Sequence, residues 1–252
     1  GKTIICLDNK NLKNILKKID KKNYLTYGFD KNSNYQILNP RYELTSSKFD
    51  LRIFGQGAKR ITIKNIIINL IGEHNVLNSS AAIAVCLNLG ISVNIIKKAL
   101  KNFSGVERRL TKVFEKNRNE FFDDYAHHPT EIQSVLKGLR KVYKERKIIS
   151  IFQPHRYSRI KNLKKEFTSS FSIADLVLLC PIYAAGEKKD KNFKPENFAN
   201  LIAENSNVQV VQVKDKTDLL RFFKKNLINN EIVVGMGAGS ISKWIYDLEN
   251  TI

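Results

Sequence analysis

From residue 108 to residue 252, short apolar runs alternate with longer amphipathic stretches, and this rhythm constrains the fold more than any other feature of the sequence. Glu120–Asp124, Lys147–Phe152, Leu176–Cys180, Val208–Val213 and Glu231–Gly235 have the length of strands. Helical spacing follows each of them, in Thr130–Tyr143, Ile160–Phe171, Pro195–Glu204, Thr217–Asn226 and Ser240–Leu248. Ile148-Ile149-Ser150-Ile151-Phe152 has no polar face, which suits a strand buried on both sides. The pattern predicts an α/β fold with a doubly wound, mostly parallel sheet.

Residues 1–104 read differently. Short β-like runs come first, in Thr3–Leu7, Tyr24–Phe29, Tyr35–Leu38, Tyr42–Thr45, Phe49–Phe54 and Ile61–Ile68, with Asp8–Asp20 as a helix between the first two. Two helices follow, at about His74–Leu89 and Ser92–Asn102. The change of rhythm falls near Ser104–Glu107, so the expected domains are residues 1–106 and 107–252.

Several function classes fall away. No apolar run approaches the roughly 20 residues that a membrane helix needs. The first residues show no signal-peptide pattern. Cys6, Cys86 and Cys180 each sit in an apolar stretch, which predicts buried thiols in a reducing compartment and a cytoplasmic location. The net charge of +19 invites a nucleic-acid partner. The lysines are spread along the chain, however, with no aromatic and basic platform, so no specific nucleic-acid binding is expected. Anionic small substrates account for part of the charge.

Three polar clusters could carry chemistry. Gly72-Glu73-His74-Asn75-Val76-Leu77-Asn78 opens an Ala-rich helix. There His74, Asn75 and Asn78 suit a purine edge or a phosphate, or else simply begin the helix. Asp123-Asp124-Tyr125-Ala126-His127-His128-Pro129-Thr130 follows a strand, where open α/β sheets bind ligands. It suits substrate contact, a metal or a structural turn, and adjacent histidines point different ways. Gln153-Pro154-His155-Arg156-Tyr157-Ser158-Arg159 follows the next strand. If a helix starts there, Arg156 and Arg159 share a face and suit a carboxylate or a phosphate. Gly235-Met236-Gly237-Ala238-Gly239 follows the last strand rather than the first, so close backbone approach fits it better than a dinucleotide. Gly1-Lys2-Thr3 lacks the context of a phosphate loop.

The second and third clusters, extended to Glu131 and back to Phe152, together resemble the Mur ligase family. Gly-Glu-His-Asn-Val-Leu-Asn, Gly-Val-Glu-Arg-Arg, Tyr-Ala-Ala-Gly-Glu and Gly-Ala-Gly-Ser are similar in order and spacing, and the likeness runs over essentially the whole chain. The Gln-Pro-His-Arg segment points to the branch that joins L-alanine to UDP-N-acetylmuramate in peptidoglycan precursor synthesis. The resemblance implies the C-terminal part of a central ATP-binding domain, then a Rossmann-like amino-acid-binding domain. It implies ATP and Mg2+, an acyl phosphate intermediate, and domain closure to assemble the site. His74, Asn75 and Asn78 would contact ATP, joined by Arg109 and Asp124. Arg156 and Arg159 would hold the L-alanine carboxylate, with Tyr125, His127 and His155 around it. Arg109, Asp124 and His127 are the catalytic candidates. The family's UDP-sugar domain, phosphate loop and magnesium ligands have no counterpart here, so no metal ligand is expected in this chain. The expectation is a fragment inactive alone, or else a non-catalytic module that retains the ligase fold.

Overall fold

In the computed structural model, which describes residues 1–54 and 60–252, the chain separates into two units, Gly1–Gly105 and Val106–Ile252. Each is described by itself.

Unit 1 builds one five-stranded sheet. Its elements are β1 (Thr3–Cys6), α1 (Lys10–Leu16), β2 (Tyr24–Gly28), β3 (Tyr35–Tyr42), β4 (Ser47–Phe54) and β5 (Arg60–Ile68), then α2 (Glu73–Asn88) and α3 (Val93–Asn102). The strands lie in sequence order, β1 to β3 parallel and β3 to β5 antiparallel. Ile37, Phe49, Leu51, Ile66 and Ile68 of the sheet form one core with Val76, Ile83 and Ala84 of α2 and Ile96 of α3.

Two expectations fail in this unit. The helix expected over Asp8–Asp20 shrinks to α1, which buries no residue. Asp8 is drawn away, and its carboxylate accepts the amides of Phe29 at 2.8 Å and Asp30 at 2.9 Å. Asn9 takes over as the helix cap. Gly28, at φ 143, permits this approach; a Cβ there would lie 2.5 Å from an Asp8 oxygen. The strand expected over Tyr42–Thr45 does not exist. β3 ends at Tyr42, and residues 43–46 turn back into β4, closed by the Glu43 amide on the Ser46 carbonyl at 2.8 Å.

Unit 2 contains β6 (Thr111–Lys116), β7 (Asn119–Asp124), α4 (Pro129–Val142), β8 (Ile148–Phe152), α5 (Tyr157–Asn162), α6 (Lys164–Thr168), β9 (Leu176–Leu179), α7 (Pro195–Ser206), β10 (Gln209–Gln212), α8 (Lys216–Asn226), β11 (Ile232–Met236) and α9 (Ile241–Leu248). The sheet order is β10-β9-β8-β11-β7-β6. The last strand in sequence therefore lies near the middle, parallel to both β8 and β7. Alternate residues face opposite layers. Ile149 and Ile151 share a core with Leu219 and Phe223 of α8 and Ile241 and Ile245 of α9. Phe152 packs on Phe167 and Phe171, with ring centroids 5.8 and 5.2 Å away. This is the doubly wound arrangement, with an antiparallel edge added. That edge, β6, goes beyond the alternation read from sequence. It joins β7 through Asn117 and Arg118, at φ 51 and 61, in a two-residue hairpin turn. The single helix expected over Ile160–Phe171 is broken at Leu163, which has φ −120.

Among the described residues no helix is long and apolar enough to cross a membrane. All three cysteines are free. Only Cys180 is fully buried, and burial pushes its thiol up to about 12. Cys6 and Cys86 are half-buried, short of the full burial expected of them.

Candidate active site

The polar clusters of unit 2 meet at the carboxyl ends of β7, β8, β9 and β11. The strand direction of a parallel sheet delivers all these loops to one edge. His127 and His155 face each other, with ring centroids 5.8 Å apart. Tyr125 meets His127 edge-on at 5.1 Å, and Tyr183 stacks on His155 at 5.6 Å. The backbone holds the stack in register. The Arg156 amide donates to the Tyr183 carbonyl at 2.9 Å, and the Tyr183 amide donates to the Pro154 carbonyl at 2.8 Å.

Hydrogen bonds assign the imidazole tautomers. His127 Nδ1–H donates to the Tyr125 carbonyl at 2.8 Å. Arg159 Nη1 donates to His155 Nδ1 at 3.2 Å, which leaves the His155 proton on Nε2. Burial lowers the His155 pKa, and the neighbouring Arg159, His127 and Arg156 lower it further, so its ring is neutral near pH 7. His128 does a different job. It caps α4, its Nδ1 accepting the Thr130 amide at 3.4 Å. Glu131, at the third position of α4, accepts the amides of His127 at 3.0 Å and His128 at 3.2 Å. Glu131 is absent from the sequence-based candidates. A capping-box spacing from His128 is the signal that could have found it.

Arg156 and Arg159 do not share a helix face. α5 begins at Tyr157, and Arg156 precedes it at φ 70, with its side chain exposed. Arg159 instead turns inward onto His155.

The two adjacent carboxylates of β7 separate by strand alternation. Asp124 is 1% exposed, and its oxygens accept the amides of Leu110 and Ala126, both at 2.7 Å. Burial nevertheless pushes its carboxyl up to about 7. The expectation that Asp124 touches nucleotide finds no open oxygen; in this structure it fixes the chain on both sides. Asp123 is fully buried, takes the Ser242 hydroxyl at 2.5 Å and lies 3.6 Å from Arg108 Nε. Arg108 also donates to the Gly237 carbonyl at 2.6 Å and lies over the Tyr125 ring at 4.7 Å. Arg109, not Arg108, is the candidate that the sequence offers. Arg109 is exposed, 3.9 Å from Glu131 and 5.9 Å from the Tyr125 ring. Nothing in a pair of adjacent arginines distinguishes the two.

The glycine-rich loop after β11 is a close-packing loop. A Cβ at Gly239 would lie 2.5 Å from both Gln153 Oε1 and the Tyr183 ring. Gln153 spans the gap, donating to Ser240 Oγ at 3.0 Å and accepting the Ile241 amide at 3.0 Å. Among the described residues no group of three His, Cys, Asp or Glu side chains could hold a metal ion, so the metal reading of the histidine cluster has no ligand set.

In unit 1, Gly72 caps α2 at φ 103 without a side-chain bond. His74 and Asn78 share a face of its first turns, the first half-buried and the second exposed. Asn75 is 5% exposed and donates to the Ile71 carbonyl at 2.8 Å. Its amide NH2 therefore closes the helix start on the Ile71 carbonyl.

Residues 108–239 match the family described as Mur ligase, glutamate ligase domain, and residues 1–86 match the Mur ligase middle domain. The chain is 52% identical over 252 residues to a UDP-N-acetylmuramate–L-alanine ligase of Pelagibacter ubique, covering 100% of this chain and 54% of that one. A ligase of the same name from Ruthia magnifica is 39% identical over 245 residues, covering 96% and 51%. Among solved structures, the UDP-N-acetylmuramate-alanine ligase of Thermotoga maritima superposes with a TM-score of 0.71 at 24% identity, covering 90% of this chain and 47% of that one. A murein peptide ligase of Psychrobacter arcticus gives 0.68 at 21%, covering 100% and 51%. At such identities these two structures show the fold alone. The chain spans about half the length of the curated relatives it matches.

Proposed function

The chain belongs to the Mur ligase family, and from that premise we propose that it is part of a cytoplasmic UDP-N-acetylmuramate–L-alanine ligase of peptidoglycan precursor synthesis. ATP would convert the muramate carboxylate to an acyl phosphate. The amine of L-alanine then attacks the acyl carbon, and phosphate leaves as the amide forms. A hydrogen-bonded cluster at the carboxyl ends of β7, β8 and β9 supports this reading most strongly: His127, His155, Tyr125 and Tyr183, with Arg159 bound to His155.

In this reading Arg159 and Arg156 take the alanine carboxylate, which orients the amine and lowers the entropic barrier to attack. The faces of His127, His155 and Tyr125 surround the small methyl side chain. Neutral His155 presents Nε2–H as a donor and adds no positive charge that would repel the ammonium of free alanine. His127, with Nδ1–H committed to Tyr125, has Nε2 left to accept a proton from that ammonium. Asp124 and Asn75 act as positioning residues. His74 and Asn78 suit an adenine edge: one is half-buried and the other exposed, on one face at a helix start. Arg109 is exposed and suits a phosphate. Among the described residues no group of three His, Cys, Asp or Glu could hold a metal ion, and in this reading the magnesium ligands would lie in the part of the relatives that this chain does not span.

The test joins this chain to the remaining half of the Pelagibacter ubique relative and follows phosphate release with UDP-N-acetylmuramate, L-alanine and ATP. The hybrid is expected to turn over, and the 252 residues alone are not. Arg159→Met in the hybrid is expected to lower kcat/KM for L-alanine by about a hundredfold or more, the loss expected when a charge-assisted contact is removed. Turnover by the 252 residues alone would overturn the fragment reading, and an undiminished R159M hybrid would overturn the alanine site.

A further inference from the structure

Beyond the histidine cluster, unit 2 has a cavity of about 450 Å3 at the carboxyl ends of β8, β9 and β10. That volume is in the range of small-molecule sites. Its walls are mainly apolar, formed by Pro154, Ile182, Phe193, Phe198 and Val213. Phe193 is fixed there between Tyr157 and Phe198, whose ring centroids lie 5.8 and 5.7 Å away. The wall is thus braced before any ligand arrives.

Two charged side chains also line the cavity, Glu196 and Lys214, both exposed. Among the described residues neither side chain has an ion-pair partner. An apolar interior with one carboxylate and one ammonium at its lining matches a molecule carrying the reverse pair on an apolar body. We propose that this cavity is a second ligand site, for a free apolar α-amino acid bulkier than alanine. The ligand ammonium meets Glu196, its carboxylate meets Lys214, and its side chain enters between Phe193, Phe198 and Val213.

The site lies back to back with the histidine cluster. His155 and Tyr183 pair as an isolated parallel bridge that prolongs β8 and β9. Side chains alternate along such a segment. Their rings stack on one side, while the adjoining Pro154 and Ile182 line the cavity. An occupant therefore presses on the two segments that set the spacing of His155 and Tyr183. The cavity proposal holds whether or not the cluster takes L-alanine.

Isothermal titration of the 252-residue chain with L-phenylalanine tests it, alongside 3-phenylpropanoate, which lacks the ammonium, and 2-phenylethylamine, which lacks the carboxylate. One saturable site is expected for L-phenylalanine. Each truncated ligand, and each of Glu196→Gln and Lys214→Gln, is expected to bind about tenfold more weakly, as for loss of one charge-assisted contact. Both substituted residues are exposed, and unchanged thermal unfolding of the two variants would show that the fold is intact. Excess L-alanine is expected not to compete for the site, and the R159M variant is expected to keep one saturable site, since coupling through His155 and Tyr183 changes affinity without removing the cavity. Ring proton resonances of His155 and Tyr183 are expected to shift at saturation. The proposal is overturned by no binding up to about 10 mM, weaker than any specific site of this size. It is equally overturned by binding that E196Q and K214Q leave unchanged, or by displacement with L-alanine, which would place the ligand in the histidine cluster.

Discussion

In unit 2 the candidate side chains hold one another, whereas in unit 1 they stand side by side on the first turns of one helix. Arg108, Tyr125, His127, His155, Tyr183 and Arg159 form a continuous run of ring and guanidinium contacts drawn from the carboxyl ends of β7, β8 and β9 and the segment before β6. His74, Asn75 and Asn78 all lie on the first turns of α2, and Asn75 donates to the Ile71 carbonyl. The difference teaches how each place can recognise a ligand. A mutually braced cluster is preorganised, so little ordering is left for binding. A single helix turn offers direction and polarity, while an exposed amide such as Asn78 still has to be ordered.

The sharpest way to break the contrast is pH. Asp124 has its carboxyl raised by burial to about 7. An acid raised above its unfolded value of about 3.9 stabilises fully below that value, and the contribution is lost as pH rises through about 7. The Asp124 contribution to unit 2, followed by the fluorescence of Trp244 during denaturation, is expected to fall by about 2–4 kcal/mol between pH 4 and pH 8, against the lowered carboxyls Glu120 and Glu187 of the same unit, which act in the opposite direction. Asp124→Asn should flatten that slope. In unit 1 the shifted carboxyls Asp30, Glu43 and Asp50 are all lowered, chiefly by hydrogen bonds. Their contribution has the opposite sign, present at neutral pH and lost as pH falls below the ordinary carboxylate range. Hydrogen exchange of β3 and β4 would read it. Slopes of the same sign in both units would remove the distinction.

Arg108→Met comes next. It strips Asp123 of its cation and the Gly237 carbonyl of its donor, and should cost unit 2 about 3 kcal/mol in urea denaturation, as for breaking a buried pair. The exposed neighbour sharpens the point: Arg109→Met should cost under about 1 kcal/mol. Equal losses would remove the distinction between the braced and the exposed arginine. In unit 1, Asn75→Ala should weaken protection of α2 in hydrogen exchange by about 1 kcal/mol, the net worth of one buried hydrogen bond. The smallest effect belongs to Asn78→Ala, within about 0.5 kcal/mol on stability as for other surface changes. In the hybrid ligase the same change should raise KM for ATP. An N78A protein as destabilised as N75A would show that this residue is structural too.

Much of the α/β rhythm is legible in the sequence because strands buried on both faces leave continuous apolar runs, as in Ile148–Phe152. β6 is harder to see. Thr111–Lys116 lies at a sheet edge and has just two apolar residues, Val113 and Phe114, which are adjacent, and its hairpin turn is Asn117-Arg118 rather than the Asn-Gly that announces such turns. The overlong first helix has a similar origin. Asp8 and Asn9 both read as helix starters, and only the position of the Phe29 and Asp30 amides decides which one serves. At the candidate site the residue types were readable and their division of labour was not. His127 and His128, Arg108 and Arg109, and Asp123 and Asp124 are adjacent pairs. Backbone direction sends His127 and Arg108 toward the cluster, His128 to the cap of α4 and Arg109 to solvent, and it turns Asp123 and Asp124 to opposite sides of β7 as two separate braces.

The place of β11 bears on synthesis. Residues emerge from the ribosome in order, and β7 and β8 are complete long before Ile232. They cannot pair with each other, because the space between them belongs to a strand not yet made. The sheet centre must close over a separation of more than a hundred residues, which slows folding and exposes apolar edges meanwhile. A stop codon just before β11 would thus remove no mere tail. It would take out the strand against which both histidine-bearing loops are aligned.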